Sequence, residues 1–445
     1  MSRITVREYA KDQWIPNDGS FETRIQEVAV ELKSRLRTRQ LPLEITGRRI
    51  HRGESELRLA VREVTGVIPI GQAVIEIQPK FLASADSEGS WREGLLAVLA
   101  HIRGLDSLPR VVGGLVPDSF VDLIGVAVAS GLAQAVHDGM PRRYLQQSED
   151  SSVFRGQLDV NRAWRIYLDP TRIPIIYDEF SADTPAVRLL LWAATRLRHS
   201  VISKALGSQL EHLSTLWHDI PADKPTASEI ETITLPIQYS FLDNAIRAAK
   251  ILASGDFLGL SATEQQDSFG FVWKTETVFE DFVRAVCSVA AGYIGADANK
   301  LEIPVLLNPT DTSPSFRQEA SIAVGGEPDV VVHRRGATLA ILDAKYKRLG
   351  RMTKDTPGAP SAADVYQVCY YAAQAKLDKV ALVYPAQSTF TQSRRWPVAW
   401  PEGSASTKQP QSIYAFSVNL AWMAGAGGFE RLVQEMRQNL ATLMS

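Results

Sequence analysis

Cysteine is nearly missing from this chain: 445 residues carry only Cys287 and Cys369. Two thiols exclude a disulfide framework and a four-cysteine iron–sulfur cluster, and both fall on apolar faces of helical patterns, where they read as core thiols. The seven histidines do not cluster at metal-ligand spacing, so zinc has no candidate site. No apolar run reaches the length of a membrane span, and residues 1–10 are polar, without the hydrophobic stretch of an export signal. A cytoplasmic protein with no membrane contact is expected. Net charge is almost absent too: 48 Lys and Arg against 50 Asp and Glu leave −2, which argues against a chain that grips nucleic acid over its whole surface. Any DNA affinity is then local or supplied by a partner. Nor is there a nucleotide-binding loop of the form G-x-x-x-x-G-K-S/T. Gly66 and Gly71 have the glycine spacing, but Gln72 and Ala73 stand where Lys and Ser or Thr are required. No aromatic cage or base-flipping pocket is evident either.

What is present is the composition of a soluble globular protein, 45% hydrophobic and 22% charged, in a chain too long for one ordinary core. A mixed α/β protein in three parts is expected. Residues 1–90 are β-rich, with strands over Leu57–Glu63, Val67–Ile70 and Ala73–Gln78, Gly66 and Gly71 as turns, and a helix over Glu22–Arg37. Nine basic residues lie between Lys33 and Arg62 against three acidic ones, a surplus that composition reads as a solvated surface. Residues 91–269 are mainly helical, with apolar residues at helical spacing over Gly94–Ile102, Leu123–Val136, Thr184–Arg198 and Leu242–Ala253. Asp178, Glu179 and Asp183 read as loop and cap carboxylates rather than a second metal site. Arg155, Arg162, Arg165 and Arg172 face DNA or are simply solvated. Residues 270–445 form the third part.

The third part contains the stretch with chemistry in it. From Glu327 to Leu349 the chain reads EPDVVVHRRGATLAILDAKYKRL, two β-type runs around a polar Arg334-Arg335-Gly336 turn. Asp329 opens one strand; Asp343 and Lys345 close the other. Alternation along a strand puts Asp343 and Lys345 on one face and Leu342 and Ala344 on the other. Two carboxylates and an ammonium thus converge at one end of a hairpin. Carboxylate oxygens suit Mg²⁺, which keeps several waters and binds through one or two carboxylates plus substrate phosphate. Such an ion lowers the pKa of water and stabilises charge on a phosphodiester under attack, and a nearby Lys orients or deprotonates that water. The reaction class is hydrolysis of a nucleic-acid backbone.

The flanks extend the set. Val278–Tyr293 has a helical apolar stripe with Glu280 at its edge, able to reach the site, and Asp281 on the opposite side. Ala362–Lys376 is a second helix on which Gln367 and Tyr371 are i, i+4 neighbours, serving either packing or the site. Apolar β-type runs follow at Val380–Tyr384 and Ile413–Val418, giving a mixed sheet with helices packed on it. Lys347, Arg348, Arg351 and Lys354, in a loop ending Thr356-Pro357-Gly358, form either a phosphate clamp or a solvated loop, as do Arg394 and Arg395 near Trp396.

Glu280, Asp329, Asp343-Ala344-Lys345 and Gln367-x-x-x-Tyr371 resemble the motifs of the PD-(D/E)XK nucleases, and the Gln-x-x-x-Tyr is similar to their RecB-like branch. DAKYKRL followed by DVYQVCYYA resembles more narrowly the McrC family, the nuclease subunit of the McrBC modification-dependent restriction system. TGVIPIGQAVIEIQPKF (65–81), FRGQLDV (154–160) and PIIYDEFSADTPAVRLLLWA (174–193) are similar to segments of the same family, although Ala186-Val187-Arg188 stands where that family usually has Asn.

The resemblance implies a C-terminal restriction-endonuclease-like domain in which Asp329, Asp343, the Ala344 carbonyl and Glu280 hold Mg²⁺. Lys345 would position or activate the attacking water, and Gln367 and Tyr371 would contact the phosphate backbone or brace the site. It implies an N-terminal domain that docks on a ring-forming McrB-like AAA+ GTPase and stimulates it. It also implies double-stranded DNA as substrate, with modified cytosine recognised by the partner. A non-catalytic activator of a ring NTPase and a stand-alone RecB-like repair exonuclease are the alternatives; cleavage without the partner favours the latter.

Overall fold

The computed structural model describes residues 2–17, 21–70, 73–82, 90–102, 120–201, 203–254, 256–262, 266–301, 303–307, 322–350, 358–386, 392–398 and 410–445. Gly71, Arg351, Lys354, Thr356 and Pro357 lie outside them. Among the described residues no helix is long and apolar enough to cross a membrane. Proximity of Cα atoms divides the chain into two compact units, 108–270 with the first two residues, and 3–107 with 271–445.

The larger unit combines the first hundred residues with the C-terminal part. Val64–Ile70 pairs antiparallel with Ala73–Gln78 on one side and, through Val64–Val67, with Phe271–Lys274 on the other. Gly66 is therefore not a turn residue. It sits inside the strand at φ +132°, and a Cβ there would lie 2.0 Å from the Phe271 carbonyl oxygen, so glycine is what lets the two backbones approach. Val64, Val67, Ile68, Ile75 and Ile77 are fully buried, which binds this sheet into the core. A second small sheet, Trp14–Pro16, Glu54–Val61 and Leu43–His51, lies beside the helix Phe21–Leu36.

Downstream lies a six-stranded mixed sheet in the order Asp297–Asn299, Val330–Arg334, Ala337–Ala344, Lys379–Pro385, Ser412–Val418, Arg394–Pro397. Val330–Arg334 and Ala337–Ala344 are the expected hairpin. Its turn residues Arg335 and Gly336 have φ of 50° and 81°, the left-handed pair that a two-residue turn between right-twisted strands requires. Ala337–Ala344, Lys379–Pro385 and Ser412–Val418 run parallel, the first two joined through the helix Ala362–Gln374. The central strands are buried on both faces, which explains why Val330–Val332 and Ala340–Ala344 read as unbroken apolar runs around one charged residue. Helix Thr275–Gly292, longer at its start than the sequence pattern, packs on the hairpin, and Gly428–Met444 packs on it in turn. Cys287 and Cys369 are free and buried, as the sequence indicated.

The smaller unit packs helices Phe120–Asp138, Pro185–Leu197, Lys204–Thr215 and Asp243–Ser254 together. The first and last approach closely: a Cβ on Gly131 would lie 2.4 Å from that of Ala245. The stretch expected to be mostly helical also carries an antiparallel sheet, Arg143–Ser151, Ile173–Ser181 and Gln157–Leu158. Its charges pair internally. Arg155 bonds Glu149, Arg162 and Arg165 both bond Asp150, and Arg188 forms a two-pronged pair with Asp183. Asp183 is thus an arginine partner, and Thr184 caps the following helix through the Val187 N–H.

Candidate active site

Ile341 belongs to the same buried core cluster as Val368 and Tyr371 of the helix Ala362–Gln374, and Asp343, two residues on, shares its face of the strand. Continuing the pairs Val331↔Ile341 and Val330↔Leu342 by one step brings Asp329 opposite Asp343. Asp329 Oδ2 accepts the Ala344 backbone N–H at 2.7 Å, and the Asp329 carbonyl accepts from Arg284 Nε at 2.9 Å. Lys345 Nζ lies 2.5 Å from Asp343 Oδ2 and donates to Gln367 Oε1 at 3.0 Å; Gln367 Nε2 donates to the Tyr371 hydroxyl at 3.0 Å. The structure thus strings Asp343, Lys345, Gln367 and Tyr371 into one chain of contacts across a strand end and a helix face. Burial works against the Lys345 ammonium, but Asp343, Asp329 and Asp364 outweigh it and raise its pKa.

The carboxylates are crowded and dry. Burial lifts Asp329 to about 6, with the Asp343 charge adding to it. Asp343, only 1% exposed, is raised as well, burial outweighing the opposing pull of Lys345. Glu280, partly buried on Thr275–Gly292, is lifted to about 7, by burial first and by Asp329 second. Ionised carboxylates held this way cost free energy unless a cation compensates them. The buried Asp343 Oδ2 meets the Lys345 ammonium and, among the described residues, no other hydrogen-bond donor. Two buried carboxylates side by side fit a hard divalent ion, which needs only one or two such ligands. Among the described residues no three Asp, Glu, His or Cys side chains converge into a ready cage. Asp329 and Asp343 therefore form the pair, with Glu280 acting on Asp329 through its charge.

Two participants escape the sequence reading. Asp281, assigned to the far side of its helix, accepts from Arg284 Nη1 at 2.7 Å, and Arg284 in turn holds the Asp329 carbonyl. The i, i+3 spacing of Asp281 and Arg284 was the available signal. Asp364 is buried and accepts from Lys347 Nζ at 2.8 Å and from the Tyr384 hydroxyl at 3.2 Å. Burial pushes its carboxyl up, but the bonds from Lys347 and Ser361 prevail and hold it low; its charge acts on both Asp343 and Lys345. In sequence it hides as the fourth residue of Ser361-Ala-Ala-Asp364, a helix start, and Ser361 Oγ does accept its N–H. Lys347 is accordingly held by a carboxylate. Arg394 donates to the Gly358 carbonyl and Arg395 to Ser412 Oγ.

A family model described as McrBC 5-methylcytosine restriction system component matches residues 59–385, well over half of the chain. No curated protein matches. Among solved structures, one of Thermococcus gammatolerans McrB AAA+ hexamers with bound McrC aligns over 98% of this chain and 100% of that one, with a TM-score of 0.59 at 14% identity, a likeness of fold. The Thermococcus gammatolerans McrBC complex aligns over 64% of this chain and 87% of its own, at 14% identity and a TM-score of 0.41, too low to argue from.

Proposed function

The chain belongs to the family of McrBC 5-methylcytosine restriction system components, and from that premise we propose that it is the nuclease subunit of an McrBC-like complex. In this reading it is a Mg²⁺-dependent endodeoxyribonuclease of the PD-(D/E)XK type. It cuts DNA phosphodiesters when assembled with an McrB-like AAA+ GTPase ring, which it stimulates and which selects DNA containing modified cytosine. The observation that carries the nuclease reading is the hairpin end itself: continuing the register sets Asp329 opposite Asp343, and Lys345 sits 2.5 Å from an Asp343 oxygen. The partner is supported by the fold likeness to McrC bound to McrB AAA+ hexamers.

Asp329 and Asp343 would hold Mg²⁺, with the Ala344 carbonyl and Glu280 as further candidates to complete its surroundings. When bound, the ion neutralises charge on the scissile phosphate and makes nearby water more acidic. The residues of this chain do the rest. Lys345, fixed between Asp343 and Gln367, presents an ammonium that orients the attacking water and a phosphate oxygen. Gln367, itself bonded to Tyr371, keeps that ammonium from swinging away, and Asp364 holds Lys347 beside the strand end.

The test mixes the chain with its AAA+ partner, Mg²⁺, GTP and plasmid with or without 5-methylcytosine, alongside Asp343→Ala. Cleavage that needs partner, Mg²⁺ and methylation and disappears in the variant is the expected result. Undiminished cleavage by Asp343→Ala overturns the site. Stimulated GTP hydrolysis with no cleavage by the unaltered chain would make it an activator.

A further inference from the structure

One carboxylate of the N-terminal strand region reaches both elements that carry the candidate metal site. Glu8, only 1% exposed, follows the strand Ser2–Arg7, and its own N–H donates to the Gln78 carbonyl at 2.9 Å. Its Oε1 accepts from Thr275 Oγ1 at 2.7 Å. Thr275 is the first residue of the helix that carries Glu280 and Arg284. Glu8 Oε2 accepts from the Tyr346 hydroxyl at 3.1 Å and from the Lys80 backbone N–H at 3.2 Å. Tyr346 directly follows Lys345. The Lys80 ammonium donates to the Tyr346 carbonyl at 3.0 Å and lies 4.5 Å from the Tyr346 ring. Phe81 meets that ring edge-on at 5.1 Å, and Phe279 packs against it at 5.6 Å.

We propose that Glu8 is a positioning residue for the metal site: by accepting from Thr275 and Tyr346 at once, it fixes the Glu280 helix against the segment carrying Asp343 and Lys345. The inference rests on the nuclease reading and goes beyond it, because it makes the N-terminal strand region a part of the catalytic apparatus. A carboxylate is an expensive way to glue two segments together, since an apolar contact of the same size avoids the desolvation cost. What it adds is direction. Two oxygens with defined lone pairs hold two donors at fixed separation, whereas packed methyl groups tolerate sliding. Outer hydrogen-bond partners of this kind are what orient metal ligands in general.

Tyr346→Phe isolates the bond, because the ring and its packing remain. Glu8→Gln keeps the shape but offers one carbonyl where two oxygens accepted. Both are made in the full chain, singly and together, beside Asp343→Ala. Two quantities are read: binding of Mg²⁺ alone by calorimetry, and kcat and KM for DNA cleavage with the AAA+ partner. Each single variant is expected to weaken Mg²⁺ binding or kcat by about 10- to 100-fold with KM for DNA unchanged. The double variant is expected to lose less than the product of the two single losses, since both act on the one junction at Glu8. Folded variants with unaltered Mg²⁺ binding and kcat overturn the proposal, leaving Glu8 as an attachment between segments; if Glu8→Gln does not fold, Tyr346→Phe decides alone. If the unaltered chain and Asp343→Ala bind Mg²⁺ equally, the nuclease reading falls and this inference with it.

Discussion

Asp329 Oδ2 accepts the Ala344 N–H, so the first carboxylate of the site is also the clasp that closes its hairpin. Charge and hydrogen bonding can therefore be separated at this position. Asparagine keeps an acceptor for the Ala344 N–H and drops the charge; alanine drops both. In the Mg²⁺-free protein the Asp329 charge is a burden, as its pKa of about 6 indicates. Asp329→Asn is expected to be at least as stable as the unaltered chain, by up to about 3 kcal/mol at neutral pH. Asp329→Ala falls below Asp329→Asn by about 1–3 kcal/mol, the cost of a buried N–H without a partner. Both lose Mg²⁺-dependent cleavage. Thermal denaturation orders the three proteins, and Asp329→Ala more stable than Asp329→Asn would contradict the clasp.

Lys345 and Asp343 are a buried pair, their side chains 18% and 2% exposed. Removing one partner of such a pair strands the other. Lys345→Ala is expected to destabilise the Mg²⁺-free protein by about 3 kcal/mol or more, because Asp343 is left dry and uncompensated. Added Mg²⁺ then supplies the missing positive charge, so the variant's Tm rises more on Mg²⁺ addition than the Tm of the unaltered chain does. Cleavage stays lost. Equal Tm rises in the two proteins would show that the ion does not approach Asp343.

Gln367 is the brace between Lys345 and Tyr371. Gln367→Leu fills the same space without holding the ammonium, and a loss of about 10- to 100-fold in kcat with little change in Tm is expected. Tyr371→Phe leaves Gln367 bonded to Lys345 and is expected to lose less. A Tyr371→Phe defect larger than that of Gln367→Leu would mean that the tyrosine meets substrate directly.

The hairpin was legible because its signals are local: a two-residue turn, apolar runs, and charges at strand ends one period apart. The mixed α/β class followed from the same patterns, and helix Ala362–Gln374 was found within two residues. Gly66 was misread as a turn because glycine marks both turns and close backbone approach, and only the strand some two hundred residues away distinguishes them. Glu8 and Lys80 gave no sign at all. A polar residue in an N-terminal strand reads as solvated until a distant helix start and a distant tyrosine are folded over it, and pairing at that range is decided by tertiary packing. Asp364 was hidden by its double use, since a carboxylate three residues after a serine is accounted for by helix capping alone.

Proton and metal compete for the same oxygens, which fixes how the protein responds to pH. The carboxyls of Asp329 and Glu280 titrate near 6 and 7 in the folded chain, above their ordinary values of 3.8 and 4.5. The folded state therefore binds more protons than the unfolded state between about pH 4 and 7, and stability contributed by these groups rises as pH falls through that window. The Asp329 contribution is on the order of 3 kcal/mol, and that of the partly exposed Glu280 is smaller because water screens it. Mg²⁺ binding must run the other way: the ion takes ionised oxygens, so its affinity falls as pH drops from 8 to 6, approaching tenfold per pH unit for each proton displaced. Calorimetric titration with Mg²⁺ at pH 8, 7 and 6 measures this directly, and proton release per ion bound should increase as pH falls, being greatest at pH 6. In Asp329→Asn the slope flattens because one of the two protons is no longer there to displace. An affinity that stays level from pH 8 to 6 in the unaltered chain would mean that the ion does not displace protons from these two carboxyls.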